Sequence, residues 1–255
     1  MSDWFFNPEY AGSAAAQRFA SLDAVFAAEG ELIASDPQSR VLRMQVGDRR
    51  YYVKRYLEGG RSLARRWFGL RDLFGPQRVR KEWENLLAFR AWGIPTATLV
   101  AYGQERRYGR FVRGALITEE IPQTVDMANM ALQGDSRLRN RRWVAHVARQ
   151  LAVYARTMHQ AGFAHNDFKW RNVLVEAGEY PTVYLIDCPT GSYWWQPFLD
   201  YRIIKDLACL DKVAKYQLSR TQRLRFYLDY AQQTRLTAVD KRKIRKILRF
   251  FAGRE

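Results

Sequence analysis

The stretch His165-Asn166-Asp167-Phe168-Lys169-Trp170-Arg171-Asn172 leads straight into an apolar strand, Val173-Leu174-Val175. It contains H-x-D-x4-N, a pattern that chance placement of these residue types in a chain of 255 produces roughly 0.004 times. Fifteen residues past Asn172 a second apolar strand ends in Asp187, followed by Cys188-Pro189. Phosphoryl transfer from a nucleoside triphosphate asks for one carboxylate to orient a hydroxyl and take its proton. It also asks for an amide and a second carboxylate to hold Mg²⁺. Asp167 suits the first role, and Asn172 and Asp187 the second. Lys169, two residues past the base, can offset the charge that develops on the moving phosphoryl group. His165 is read as packing and hydrogen-bonding the loop, Cys188 as a small packed residue, and Asp206 as a brace for the loop backbone.

Such chemistry also needs a lysine projecting from a strand toward the α- and β-phosphates and a helix glutamate to hold it. Lys54, in YYVKRY, is the strand lysine. Val79, Trp83 and Leu86 recur at helical spacing, and Glu82 lies beside that stripe. Glu84 is rotated about 200° from it toward Arg80 and Lys81, so Glu82 is the expected partner. The strand ending at Glu119-Glu120-Ile121 is the expected hinge, where backbone groups of Glu119 and Ile121 meet an adenine edge of ATP.

The elements that position these residues follow from periodicity. RVLRMQV at 40–46 and YYVKRYL at 51–57 form a hairpin around Gly47-Asp48. Pro76 to Trp92 is helical and is stopped by Gly93-Ile94-Pro95. TLVAYG and FVRGALITEEI are strands. Asn140 to Ala161 is a strong helix whose stripe is Trp143, Val147, Leu151, Tyr154 and Met158, with Gly162 as its stop. NVLVE and TVYLID are short strands, and the chain from Asp200 onward is helical. Strands first and helices later imply an α+β fold in two lobes, an N-lobe at 20–121 and a C-lobe at 122–255. The Trp194-Trp195 pair is read as core in preference to a lining for the acceptor sugar.

Composition excludes disorder, since 47% of residues are hydrophobic and 14% aromatic. Two cysteines are too few for a disulfide framework, so a reducing compartment is expected. The N-terminus lacks the basic region of an export signal. The longest uncharged stretch in the aromatic region, 188–199, is well short of the ~20 residues a membrane-spanning helix requires. A net charge of +16 nonetheless asks for an anionic partner. In residues 61–81 seven cations, among them Arg65, Arg66 and Arg71, face one acid with aromatics between them, and Lys241 to Arg249 adds six more cations. Both runs suit an anionic membrane surface, bound peripherally. Nucleic acid would account for the charge but would leave H-x-D-x4-N without a use, so no nucleic-acid partner is expected.

With these residues in view, the chain resembles the protein-kinase-like bacterial lipopolysaccharide kinases, the Kdo/WaaP/InaA group. The likeness runs from about Gly30 to Tyr230 and rests on YYVKRY, KEWENLLAFRAWGIPTA, MHQAGFAHNDFKWRNVLV, LIDCP, YRIIKDLACL and LSRTQRLRFYLDY. The resemblance implies a two-lobed kinase-like fold, ATP and Mg²⁺, and Asp167 as the catalytic aspartate. It also implies a sugar hydroxyl of the lipopolysaccharide inner core, a heptose, as acceptor, and cytoplasmic work at the inner face of the inner membrane. Two features depart from the protein-kinase pattern. Only Gly47 lies between Gly30 and Lys54 where a glycine-rich loop is usual, and Cys188-Pro189 replaces Phe-Gly after the metal aspartate. A protein or small-molecule kinase on the same fold, and a membrane-bound pseudokinase scaffold, are the alternative readings.

Overall fold

A computed structural model describes residues 2–57 and 78–253. Of the basic stretch at 61–81, residues 61–77 lie outside the described residues, as do Pro76 and Gln77 at the start of the expected helix. The chain divides into two compact units, Met1–Ala88 with Ala97–Ile121, and Phe89–Thr96 with Pro122–Glu255.

The first unit is built on strands β1 (Ser2–Phe6), β2 (Glu31–Asp36), β3 (Ser39–Val46), β4 (Arg49–Leu57), β5 (Leu99–Arg107) and β6 (Arg110–Glu119). They form one sheet in the order β1-β5-β6-β4-β3-β2, each neighbouring pair antiparallel. Successive side chains of a strand point to opposite faces, so Tyr51 and Val53 of β4 face one side and Lys54 and Tyr56 the other. Helices α1 (Ala14–Arg18) and α2 (Leu22–Ala27) cover the first side. There Phe19 and Val25 are fully buried with Tyr51, Val53 and Ile117 in one core, each side chain contributing about 1.5–3 kcal/mol.

Helix α3 (Arg78–Ala91) covers the other side. Its Trp83 stacks on Tyr102 of β5 at 5.5 Å and meets Phe5 of β1 edge-on at 5.1 Å. Gly114 of β6 permits this approach, because a Cβ there would lie 2.9 Å from Val79 of α3. The unit thus reaches back past the expected start at residue 20. Residues 2–19 lack the alternation of a strand pair, yet β1 adds an edge to β5 and Tyr10 and Phe19 enter the core.

In the second unit, α5 (Arg141–Gln160) follows the short strand β7 (Thr124–Asp126) and helix α4 (Met127–Leu132). Asn140 caps α5 by accepting from the N–H groups of Arg142 and Trp143, at 3.0 and 3.2 Å. Gly162, at φ +73°, ends it in the left-handed conformation that glycine adopts without cost. All five residues of the expected stripe are buried. Strands β8 (Phe163–Ala164), β9 (Val173–Glu176), β10 (Val183–Leu185) and β11 (Ser192–Tyr193) frame the loop that follows. Then come helices α6 (Phe198–Gln217), α7 (Arg220–Ala231) and α8 (Ala238–Arg249), whose Leu207, Tyr227 and Ile247 share a core.

Candidate active site

Within the first unit, Lys54 Nζ lies 2.9 and 3.1 Å from the two carboxylate oxygens of Glu82. Glu84 instead pairs with Arg80 on the exposed face of α3, at 2.7 Å. The carboxylate is buried, Glu82 being only 3% exposed. Tyr56, two residues past Lys54 on the same face of β4, donates its hydroxyl to Glu82. Its ring centroid is 5.3 Å from the Lys54 ammonium. The buried carboxylate therefore has a cation and a hydroxyl to offset its desolvation. Sequence reasoning missed Tyr56, although its i+2 position on the strand was the available signal.

At the expected hinge, the Glu119 N–H donates to the Thr98 carbonyl at 2.9 Å, so that donor is already engaged within the sheet. The Glu119 carboxylate accepts from Tyr10 and pairs with Arg49 at 3.2 Å. Burial first, and then that carboxylate, push the Tyr10 phenol above its usual range. Glu120 takes Arg43 at 2.8 Å and Arg50 at 3.1 Å, and Ile121 closes the unit.

The turn from β2 to β3 is not a glycine cradle. Asp36 Oδ1 accepts from the N–H groups of Gln38 and Ser39 at 2.7 and 2.9 Å, and Oδ2 accepts from the Ser39 hydroxyl at 2.8 Å. Burial opposes ionisation of Asp36, but these donors outweigh it and hold its pKa below the usual value. The turn's amides are thus spent on the chain's own carboxylate rather than left for phosphate. Gly47, at φ +64°, serves the next hairpin.

In the second unit the loop after β8 is held mainly by backbone bonds. Asp206 of α6, fully buried, accepts from the N–H groups of His165 at 2.7 Å and Asn166 at 2.8 Å. Asn166 sits at φ +64°, and its side chain donates to the carbonyls of Ala164 and Thr190 at 3.2 and 2.9 Å. His165 departs from expectation. Its backbone is bonded, but neither ring nitrogen finds a partner among the described residues. The ring is instead stacked between Phe168, at 5.5 Å, and Phe89, at 5.9 Å. Burial pushes its pKa below the ordinary 6.5, so the ring is a neutral packing plate.

Asp167 is brought out beside two cations. Lys169 Nζ lies 2.5 Å from one of its oxygens and Arg171 Nη2 3.0 Å from the other. Burial favours the neutral acid, but Lys169 and then Arg171 outweigh it and hold the carboxyl below the usual carboxylate range. Asn172, 2% exposed, donates from Nδ2 to the Asp167 carbonyl at 2.9 Å. That bond fixes the amide and leaves Oδ1 as the atom a hard cation would take. Asp187 follows β10 at φ +57°, and the N–H of Ile186 before it donates to the Asn172 carbonyl at 3.0 Å. The donors on offer are an amide oxygen and a carboxylate, which suits Mg²⁺, an ion that keeps several waters and takes few protein ligands. Cys188 is fully buried. The Trp194-Trp195 pair is not core: Trp195 is 74% exposed, and Trp194 lies under the Arg202 guanidinium at 4.1 Å.

The sequence pattern of the lipopolysaccharide kinase (Kdo/WaaP) family matches residues 23–230, most of the chain. The chain belongs to this family. A Pseudomonas aeruginosa protein, the lipopolysaccharide core heptose(I) kinase WaaP, is 27% identical over 147 residues, 57% of this chain and 54% of that protein. The chain therefore spans about half the length of the curated relative it matches. A solved structure, "WaaP in complex with acyl carrier protein", superimposes with a TM-score of 0.69 at 24% identity, covering 98% of this chain and 94% of that one. The expected α+β, kinase-like fold is thereby the observed one. No helix among the described residues is long and apolar enough to cross a membrane.

Proposed function

We propose that this chain transfers the γ-phosphate of ATP to a sugar hydroxyl of the lipopolysaccharide inner core, a heptose by analogy with the named relative. The reading is carried by the arrangement of the loop: Asp167 is ionised beside Lys169 and fixed through Asn172 and the Asp206 brace. Asp167 orients the hydroxyl and takes its proton, and Lys169 offsets charge on the transferred group. Lys54, held by Glu82, grips the phosphates, and Glu119 and Ile121 meet the base. Mg²⁺, held by Asn172 and Asp187, would neutralise charge on the phosphate oxygens. An N-lobe ending at Ile121 and a C-lobe from Pro122 divide this work.

The test is transfer of label from γ-labelled ATP to lipopolysaccharide from strains truncated at successive core sugars. Label should appear as soon as the acceptor sugar is present and vanish on chelation of Mg²⁺. Absence of label on every core length would overturn the reading.

The cationic face of α8 supports work at the inner face of the inner membrane. Lys241, Arg242, Lys243, Arg245, Lys246 and Arg249 are exposed while Ile247 is buried inward. Sedimentation with anionic vesicles should weaken as salt rises, and binding that ignores salt would contradict it.

Acyl carrier protein, with which the solved neighbour is in complex, is proposed as a further partner. The second unit holds a cavity of about 620 Å³ walled by Trp143, Val147, Leu151, Leu210 and Ile247, in the size range of small-molecule pockets and apolar enough for an acyl chain. Acyl-loaded carrier protein should bind more tightly than the unloaded form; equal binding would remove this partner.

A further inference from the structure

Between Asp187 and the body of α6 the chain carries five aromatic residues in nine positions, Tyr193, Trp194, Trp195, Phe198 and Tyr201. Four of them are turned out to water: Tyr193 is 61% exposed, Trp195 74%, Phe198 56% and Tyr201 53%. Burial of such a side chain is worth about 1.5–3 kcal/mol, so a run of exposed rings marks a surface that meets something. Trp195 and Phe198 stand edge to face at 6.3 Å and form a ledge.

The ledge is tied to the catalytic loop. Strand β11 pairs with β8, setting Tyr193 opposite Phe163, and the Trp194 N–H donates to the Gly162 carbonyl at 2.8 Å. Arg202, stacked on Trp194, donates from Nη1 to Asn166 Oδ1 at 3.3 Å, one residue before Asp167. A guanidinium carries five N–H donors, and no ion pair to Arg202 is found among the described residues.

The geometry points to an acceptor subsite. The exposed rings take the C–H face of a pyranose, and Arg202 takes an anionic substituent, carboxylate or phosphate, on that sugar or the next. The acceptor hydroxyl is thereby presented at Asp167. This assignment rests on the kinase reading above and names what recognises its acceptor. A bilayer would also accept exposed aromatics, but it has no need of a cation stacked on one ring and bonded to the residue beside the base. An anionic sugar does need it, because the cation and the reacting carboxylate must be met by one molecule.

The experiment uses the full chain and a heptose-containing inner-core oligosaccharide freed of acyl chains. Its binding is measured by calorimetry without ATP, and its KM by label transfer. Trp195→Ala and Arg202→Gln should each weaken binding and raise KM for the oligosaccharide about tenfold, while thermal unfolding stays with the wild type. Tyr216→Ser removes another ring, 72% exposed on α6, and should change neither. Unchanged affinity in both ledge variants overturns the assignment. If that result comes with lost sedimentation on anionic vesicles, the ledge belongs to the membrane. A wild-type chain that binds the oligosaccharide through the ledge yet transfers no phosphate upholds the subsite and sinks the kinase reading instead.

Discussion

The Lys54–Glu82 pair of the first unit and the loop around Asp167 in the second are stabilised in opposite ways. Lys54, Glu82 and Tyr56 hold one another by side chains in a largely buried setting, on a strand and a helix of ordinary geometry. The loop is held by its backbone, with two N–H groups on Asp206 and two non-glycine residues, Asn166 and Asp187, at positive φ. Each such residue costs on the order of 1–3 kcal/mol, and the strain persists because the surroundings over-determine it. A largely buried ion pair is fixed by the side chains that form it. In the loop the chain bends so that Asp167 stays partly exposed while Asn166 and Phe168 beside it are buried.

The contrast breaks most visibly at the ion pair. Lys54→Ala and Glu82→Ala should each lower kcat/KM for ATP about 100-fold, and the double variant should be little worse than either, because both remove the same pair. Lys54→Ala should also cost about 3–5 kcal/mol in denaturant unfolding, since it leaves a buried carboxylate without its cation. Additive losses would separate the two residues.

Asp206→Asn probes the loop with a smaller effect. It keeps one acceptor oxygen but turns an NH2 toward the other backbone N–H, and each charge-assisted bond is worth about 1.5–3 kcal/mol. Turnover should fall about tenfold with ATP affinity kept, and amide exchange at His165 and Asn166 should quicken. Unchanged exchange would show that the loop stands without its brace.

The helix stripe, the lysine strand and the choice of Glu82 over Glu84 were legible because periodicities of 3.6 and 2 place side chains directly. Strand β5 ran further than its apolar residues indicated, through Gln104 to Arg107, since its pairing with β6 continues past the alternation. The tie from Tyr10 to Glu119 was not legible: 109 residues separate the two, and no local pattern records the pairing. Positive φ at Asn166 and Asp187 is likewise a product of tertiary context. The aromatic ledge misled because Trp-Trp is usually core, and only the fold shows that Trp195 and Phe198 are exposed.

His165 gives a test of the loop's packing through pH. Its folded pKa is depressed, so its contribution is present above 6.5 and is lost as pH falls from there toward the folded value. One group supplies a slope of at most about 1.4 kcal/mol per pH unit. His165→Phe should flatten the acid side of the stability curve by that amount, as read by urea midpoints from pH 7 to 5. An unaltered slope would mean the ring takes a proton without leaving its stack.

The smallest effect belongs to Tyr56→Phe, which keeps the ring beside Lys54 and removes the hydroxyl on Glu82. KM for ATP should rise a few-fold with kcat nearly kept. A loss as large as that of Glu82→Ala would show that Glu82 depends on the Tyr56 hydroxyl as much as on the Lys54 ammonium.

The central claim is that the second unit does the chemistry at Asp167 while the first holds the nucleotide. Single-turnover transfer and ATP affinity, measured together in Asp167→Asn, address it directly. The account predicts nucleotide binding within about twofold of the wild type and a transfer rate lower by about 1,000-fold or more, because the base is gone and the metal donors remain. Transfer at the wild-type rate in that variant would contradict it.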